Sequence, residues 1–386
     1  LAVVNTRALQ EAGIDAETPD PPQGCIDRDA AGEPTGVLRE LAVNCVRDVI
    51  PVPSEGETVA AMRTGMRVLH GLGLTGLHDP RNMGGSDGIP AFRAYQRLQA
   101  AGELDLRLWM CIPGERLAEA VALGLRSGFG DRYLRVGHVK LFADGSQGAR
   151  TAWMLEPYDD TGDVGMPLTP MTEVAMAIRE ADQAGLSVAV HAIGDRTNRE
   201  LIRVFREHAS HGAHRIPHRI EHAQVIRPVD VDRLSRLPVV ASVQPIQVTD
   251  DIPMSDTALG PRARFCYPFR DMLDAGVRLA FGSDAPVADP NPLWGIHAAV
   301  TRQGRDGKPE GGWYPDQRVS VAEAVWGFTM GPALASGQTA DVGSMAPGKL
   351  ADLVVLERDI FAIDPTEIHE VEVWMTIFDG RVVHGS

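Results

Sequence analysis

LSVAVHAIGD, residues 186–195, decides the fold. It opens as a nearly continuous apolar run, the pattern of a strand covered on both faces rather than one. Immediately upstream, residues 171–184 read as an amphipathic helix. Val174, Ala175, Ile178 and Ala181 share one face, Pro170 suits a first helical position and Gly185 suits the stop. The same alternation of helix and buried strand recurs in both directions. Strand patterns fall at LTGLHD (74–79), LDLRLWMC (104–111), YLRVGHVKLF (133–142), HRIEHA (218–223), VVASVQP (239–245) and VRLAFGSD (277–284). Such a chain predicts a parallel sheet joined by right-handed crossovers.

Two architectures compete, an open doubly wound sheet and a closed (β/α)8 TIM barrel. The repeat of about 30 to 35 residues per strand is close to the barrel norm. The Gly-rich phosphate loop that marks the open sheet is not evident. The expectation is therefore an α/β chain with a (β/α)8 barrel whose first strand is missing, over residues 1–339. From about Ala340 the pattern changes. GSMAPGKLADLVVLERD (343–359) and VEVWMTIFDGRVVHGS (371–386) read as short strands with Asp379-Gly380 as a hairpin turn. Residues 340–386 are thus expected to form part of a small β-sandwich. The first 56 residues, rich in Pro and Gly, read as an irregular excursion with a hairpin pattern in GCIDRDAAGEPTGVL (24–38).

Composition excludes several classes. Among 386 residues, 37 Lys and Arg face 52 Asp and Glu, giving a net charge of −15. With 44% hydrophobic and 23% charged residues, the chain is ordinary globular protein rather than disordered or collagenous. Its acidity, without any basic run, argues against nucleic acid as a partner. The four cysteines (Cys25, Cys45, Cys111, Cys266) form no CxxC pair, which suits a reducing cytoplasm. No apolar stretch is long enough to span a membrane. The expected partner is a small molecule, and self-association into a homo-oligomer is compatible with the sequence.

In a parallel barrel, chemistry gathers at the C-terminal ends of the strands. Four ionisable residues fall there: Lys140 in HVKLFADG, His191 in VAVHAIGD, His222 in RIEHAQ and Asp284 in AFGSDAP. Their spacings of 51, 31 and 62 residues fit the fourth, fifth, sixth and eighth strands of one barrel. Two imidazoles and a carboxylate suit a borderline cation such as Zn2+. A lysine buried in a barrel strand is costly unless neutralised or converted; carboxylation by CO2 would give an anionic carbamate ligand. Other readings stand beside these. Lys140 alone suits a salt bridge or a Schiff-base nucleophile, Asp284 alone suits a turn cap, and His78 at the end of GLHD is a rival ligand. His208, His211, His214 and His218 fall outside the strand-end pattern and read as a solvated helix and loop.

These segments resemble the amidohydrolase superfamily, in its branch of YtcJ-like metal-dependent hydrolases that includes N-substituted formamide deformylase. VNTRALQEAGI (4–14), VKLFADGSQGARTA (139–152), HAIGDRTNRELI (191–202), RIEHAQ (219–224), FGSDAPVADPNPLWGIHAAVTR (281–302) and GSMAPGKLADLVVLERDIF (343–361) carry the resemblance in order, over nearly the whole chain. It implies a barrel beside a small β-sandwich, one or two divalent metal ions, and hydrolysis of an amide-type, non-peptide C–N bond by metal-activated water. It implies His191 and His222 as ligands, Asp284 as ligand and general base, and Lys140 as a carboxylated ligand. Asp144 and Arg150 would contact substrate or support the ligands. Two departures stand out. The superfamily's first strand ends in His-x-His, which occurs nowhere in this sequence, and the matching region is expected upstream of Leu1. Gln247 follows SVQP where relatives often carry His. An ester, lactone or cyclic amide is the alternative substrate class, and an inert fragment the non-enzymatic one.

Overall fold

A computed structural model describes residues 1–80, 88–208 and 216–385 of the chain. Its centre is a seven-stranded parallel sheet. The strands are β4 (Gly76–Asp79), β5 (Arg107–Pro113), β6 (Leu134–Phe142), β7 (Val188–Ala192), β8 (His218–His222), β9 (Val239–Val243) and β10 (Arg278–Phe281), in spatial order from β4 to β10 without a crossover of order. The sheet curls into a half-barrel with β4 and β10 as its two edges. All seven sequence-predicted strands are present. The missing first strand is likewise absent from the described residues.

Thirteen α-helices accompany the described strands: α1 (Thr6–Glu11), α2 (Ala42–Arg47), α3 (Glu55–Gly71), α4 (Gly88–Ala100), α5 (Leu117–Ala122), α6 (Met171–Ala184), α7 (Asp195–His208), α8 (Pro228–Leu234), α9 (Gln247–Leu259), α10 (Phe269–Asp274), α11 (Pro292–Thr301), α12 (Val321–Phe328) and α13 (Met330–Ala335). The α6 helix shows why the alternation forms. Val174, Ile178 and Ala181 are buried on one face. Gly185 ends the helix in the left-handed conformation at φ 81°, which a glycine adopts without steric cost. Pro170 is its N-cap and not its first residue. Between sheet and helices lies the main core, in which Val139, Val188, Val190, Ile220 and Val239 meet Ile178, Leu201 and Phe205. None of the helices is long and apolar enough to cross a membrane.

The chain ends depart from expectation unequally. The tail forms an antiparallel sheet of β11 (Leu353–Leu356), β12 (Val373–Phe378) and β13 (Arg381–His384), turned at Asp379 and Gly380 as expected. The first 56 residues are more regular than an excursion. β1 (Ala2–Val3), β2 (Gly24–Arg28) and β3 (Pro34–Glu40) form a second antiparallel sheet in the order β1-β3-β2. It has its own core of Leu9, Ile14, Ile26, Leu38, Ala42 and Val46. His218 also corrects the sequence reading. It opens β8, only 4% exposed, and its Nδ1 accepts from the Val188 amide at 3.1 Å. His211 and His214 lie outside the described residues.

Candidate metal centre

The register of the parallel sheet sets the site. Lys140 pairs with Ala189, and His191 with Glu221, so alternate positions on β6, β7 and β8 stack into layers on one face. Lys140, His191, Arg219 and Glu221 fall on that face. His222 ends β8 at φ 71°, followed by Ala223 at φ 43°, and Asp284 lies three residues beyond β10 at φ 61°. A non-glycine residue in this region costs about 1–3 kcal/mol, and such positions concentrate at functional sites.

The two imidazoles meet. The rings of His191 and His222 lie edge to face with centroids 4.6 Å apart. Their hydrogen bonds fix where the protons sit. His191 Nε2 lies 3.0 Å from the Gly145 carbonyl, which can only accept, so this nitrogen carries the proton and Nδ1 keeps its lone pair. His222 Nδ1 donates to Gln244 Oε1 at 2.8 Å. The amide is oriented for that role because its Nε2 donates to the Ser242 carbonyl. His222 Nε2 is left with its lone pair. Burial holds both imidazoles below their ordinary pKa, so both are neutral.

Lys140 completes the arrangement in an unusual way. It is 5% exposed, and its ammonium lies 4.6 Å from the centre of the Phe142 ring. Among the described residues it has no hydrogen bond and no ion pair. The neighbouring Glu221 is already taken by Arg219, with Nη2 to Oε1 at 2.7 Å. Burial lowers the Lys140 pKa, against the pull of Glu221 and Asp284. Asp284 also acts electrostatically on His222, and the Gln247 amide donates to its Oδ2 at 3.4 Å.

The donor chemistry therefore fits a cation in part. Two imidazoles with uncommitted lone pairs and an uncompensated buried amine stand together. Among the described residues, however, no three His, Cys, Asp or Glu side chains form a ligand group on their own. His78, the rival ligand, is the penultimate residue of β4, and its Nδ1 is occupied by Arg219 Nη1 at 2.6 Å.

Asp144 and Arg150, expected to contact substrate or support the ligands, are both engaged by the protein itself. The Asp144 carboxylate is fully buried and accepts from the amides of Ile193, Gly194 and Trp153 and from the Thr197 hydroxyl, at 2.8–3.0 Å. Burial pushes its pKa up to about 7, while these four donors pull it down. Gly194 is required there, because a Cβ would lie 2.0 Å from the Trp153 carbonyl oxygen. Arg150 is held by Asp160 and by the Gln147 carbonyl. Both side chains are engaged in shaping the loop after β6.

Sequence reasoning missed three contributors. Glu221 and Arg219 were legible as the inward positions of HRIEH, two residues apart. Gln244 carries no such signal, since its importance lies in an amide aimed at His222. Gln247, singled out in the sequence, lies beside Asp284.

A curled seven-stranded parallel sheet with two histidines meeting at adjacent strand ends defines a half-barrel scaffold of the TIM-barrel type. The chain belongs to the amidohydrolase family, whose profile matches residues 1–384. It is 33% identical over 385 residues to YtcJ of Bacillus subtilis (strain 168), an amidohydrolase by name, covering 99% of this chain and 72% of that protein. It is 29% identical to N-substituted formamide deformylase of Arthrobacter pascens, covering 97% of this chain and 70% of the relative. The crystal structure of a metal-dependent hydrolase from Pyrococcus horikoshii OT3 superposes with a TM-score of 0.76 at 29% identity, covering 94% of this chain and 70% of that one.

Proposed function

We propose that the protein is a metal-dependent hydrolase of a small molecule, cleaving an amide-type C–N bond outside peptides, with one or two Zn2+ ions at the ends of β6, β7 and β8. The observation that carries this reading is the His191–His222 pair, neutral and adjacent, with one lone pair on each ring left free by its hydrogen bonds. His191 Nδ1 and His222 Nε2 would hold the metal, with Asp284 beside them and Lys140 as a carbamate. The bound metal would supply a Lewis acid that activates water and polarises the carbonyl. Lys140 suits carboxylation because its buried amine has no hydrogen bond or ion pair among the described residues, and a lowered pKa enlarges the neutral fraction that reacts with CO2. Asp284 takes the proton at Oδ1, while Gln247 orients the carboxylate through Oδ2. Asp144 ties the loop after β6 to the start of α7 and so keeps the Gly145 carbonyl on His191.

One observation favours a second reading, an incomplete and inert centre: the lack of a three-residue His, Cys, Asp or Glu group among the described residues. Metal analysis combined with a panel of amides, esters, lactones and cyclic amides separates the two. The hydrolase reading expects stoichiometric zinc, amide turnover, and a loss of about 10²–10⁴ in Asp284→Asn. Full activity in that variant removes Asp284 as the base, and absence of both metal and turnover supports the inert centre.

A further inference from the structure

A second polar site lies beside the candidate centre. A cavity of about 470 Å³ opens between the first turn of α9, the α11 helix and the segment after α11. This is within the size range of small-molecule sites. Its walls are Asp250, Asp289, Trp294, His297, Arg305 and Asp306, together with neighbouring backbone and smaller side chains. Three carboxylates thus face one guanidinium, which is itself stacked on the Trp294 ring at 3.6 Å.

Acidic side chains at a rim do not make a site. His297 supplies the independent observation. It lines the cavity, is 2% exposed, and among the described residues neither of its ring nitrogens has a hydrogen bond. Its only close ring partner is His369, edge to face at 4.6 Å, and His369 Nδ1 is itself buried without a partner. The His297 ring nitrogens are not sealed off from the cavity it lines, so its lone pair is available to accept a hydrogen bond from a ligand. Burial also lowers its pKa to about 4, which keeps it an acceptor at neutral pH. An acceptor at the floor, carboxylates at the rim and an indole wall that already holds a cation are complementary to an organic ammonium and hostile to an anion.

We infer that this cavity binds the protonated amine of a small organic ligand. The site shares two segments with the candidate centre. Ile246, Thr249 and Asp250 bracket Gln247, which donates to Asp284, and Asp289 lies five residues beyond Asp284. On the hydrolase reading, on which this last step rests, the ligand is the ammonium-bearing arm of the substrate.

The test is calorimetric titration of chelator-treated full chain with benzylammonium, benzyl alcohol and benzoate. Without metal or turnover, its outcome is independent of whether the centre hydrolyses anything. Benzylammonium should bind at least about tenfold more tightly than the isosteric alcohol, and benzoate should not bind, since charge-assisted hydrogen bonds discriminate on this scale. His297→Phe keeps the ring contact with His369 and removes the acceptor, and Asp250→Asn removes one rim charge. Each should weaken benzylammonium binding about five- to tenfold while the far-UV circular dichroism stays unchanged. Equal binding of alcohol and ammonium, binding of benzoate, or unaltered affinity in folded Asp250→Asn and Asp289→Asn would overturn the inference.

Discussion

Arg107 and His218, at the starts of β5 and β8, are matched to partners; at the opposite ends of the sheet several polar side chains are not. Arg107 opens β5 and is bound through Nε and Nη2 to both oxygens of Asp352, with Asp379 at 3.2 Å and the Arg132 carbonyl at 3.0 Å. Phe378 and Tyr133 stack against its guanidinium. His218 at the start of β8 is engaged by the Val188 amide and lies 3.3 Å from Asp182. At the other end of the sheet, His191 and His222 each keep a free lone pair, and Lys140 is buried with no hydrogen bond or ion pair among the described residues. Residues of the same kind are thus structural at one end and chemically unspent at the other. Unspent valence, more than residue type, distinguishes the functional end, in keeping with the division of labour in parallel barrels.

Several experiments would break or sharpen that contrast. The largest effect is expected at the saturated end. Arg107→Ala takes from Asp352, 8% exposed, its bidentate cation, while Asp379 keeps Arg132 at 3.3 Å; it should cost about 3 kcal/mol in urea unfolding, with zinc affinity per folded molecule unchanged. A loss under 1 kcal/mol would mean that the clamp between half-barrel and tail sheet is idle. At the unspent end, Gln244→Leu removes the acceptor that sets the His222 proton. It should lower zinc affinity about 10- to 100-fold with little change in unfolding.

The pH dependence of stability tests the buried imidazoles together. Burial holds His78, His138, His191 and His222 below the ordinary imidazole value, His78 at about 3. The unfolded chain then binds protons near pH 6.5 that the folded chain refuses. Stability is complete above that pH and is lost as the pH falls toward the folded values, by about 1.4 kcal/mol per unit for each such site. Chelator-treated protein should show a lower urea midpoint at pH 5.5 than at pH 7.5, because these imidazoles outnumber Asp144, whose pKa raised to about 7 acts in the opposite sense; a rise on acidification would contradict the assignment. The smallest effect is expected far from both ends. The Arg7–Glu11 pair is 84% and 61% exposed, so Glu11→Ala should change stability by no more than about 0.5 kcal/mol.

The contrast also explains what the sequence made legible. The seven parallel strands announce themselves because burial on both faces demands apolar runs, and Lys140, His191 and His222 stand out as interruptions of those runs. Of the sheet near the N-terminus only the β2–β3 hairpin was legible, in residues 24–38; the rest was hidden because its core collects single residues such as Leu9, Ile26 and Leu38 from separated short elements, none with a periodic pattern of its own. His218 and His222 are four residues apart in one strand, and nothing local tells the one facing Asp182 from the one that keeps an open nitrogen. The difference is made by Asp182, Val188 and Gln244, which are distant in sequence from the strand or lie on its neighbours. Asp144 fails in the other direction: a carboxylate in a Gly-rich loop looks available, yet four donors from two segments consume it.

The central claim is that His191 and His222 grip one cation at the ends of β7 and β8. Calorimetric titration of chelator-treated protein with Zn2+, comparing the native chain with the folded His191→Ala, His222→Ala double variant, tests it most directly. The account predicts at least a hundredfold loss of affinity when both rings are removed. Zinc binding of undiminished strength in the double variant would contradict it.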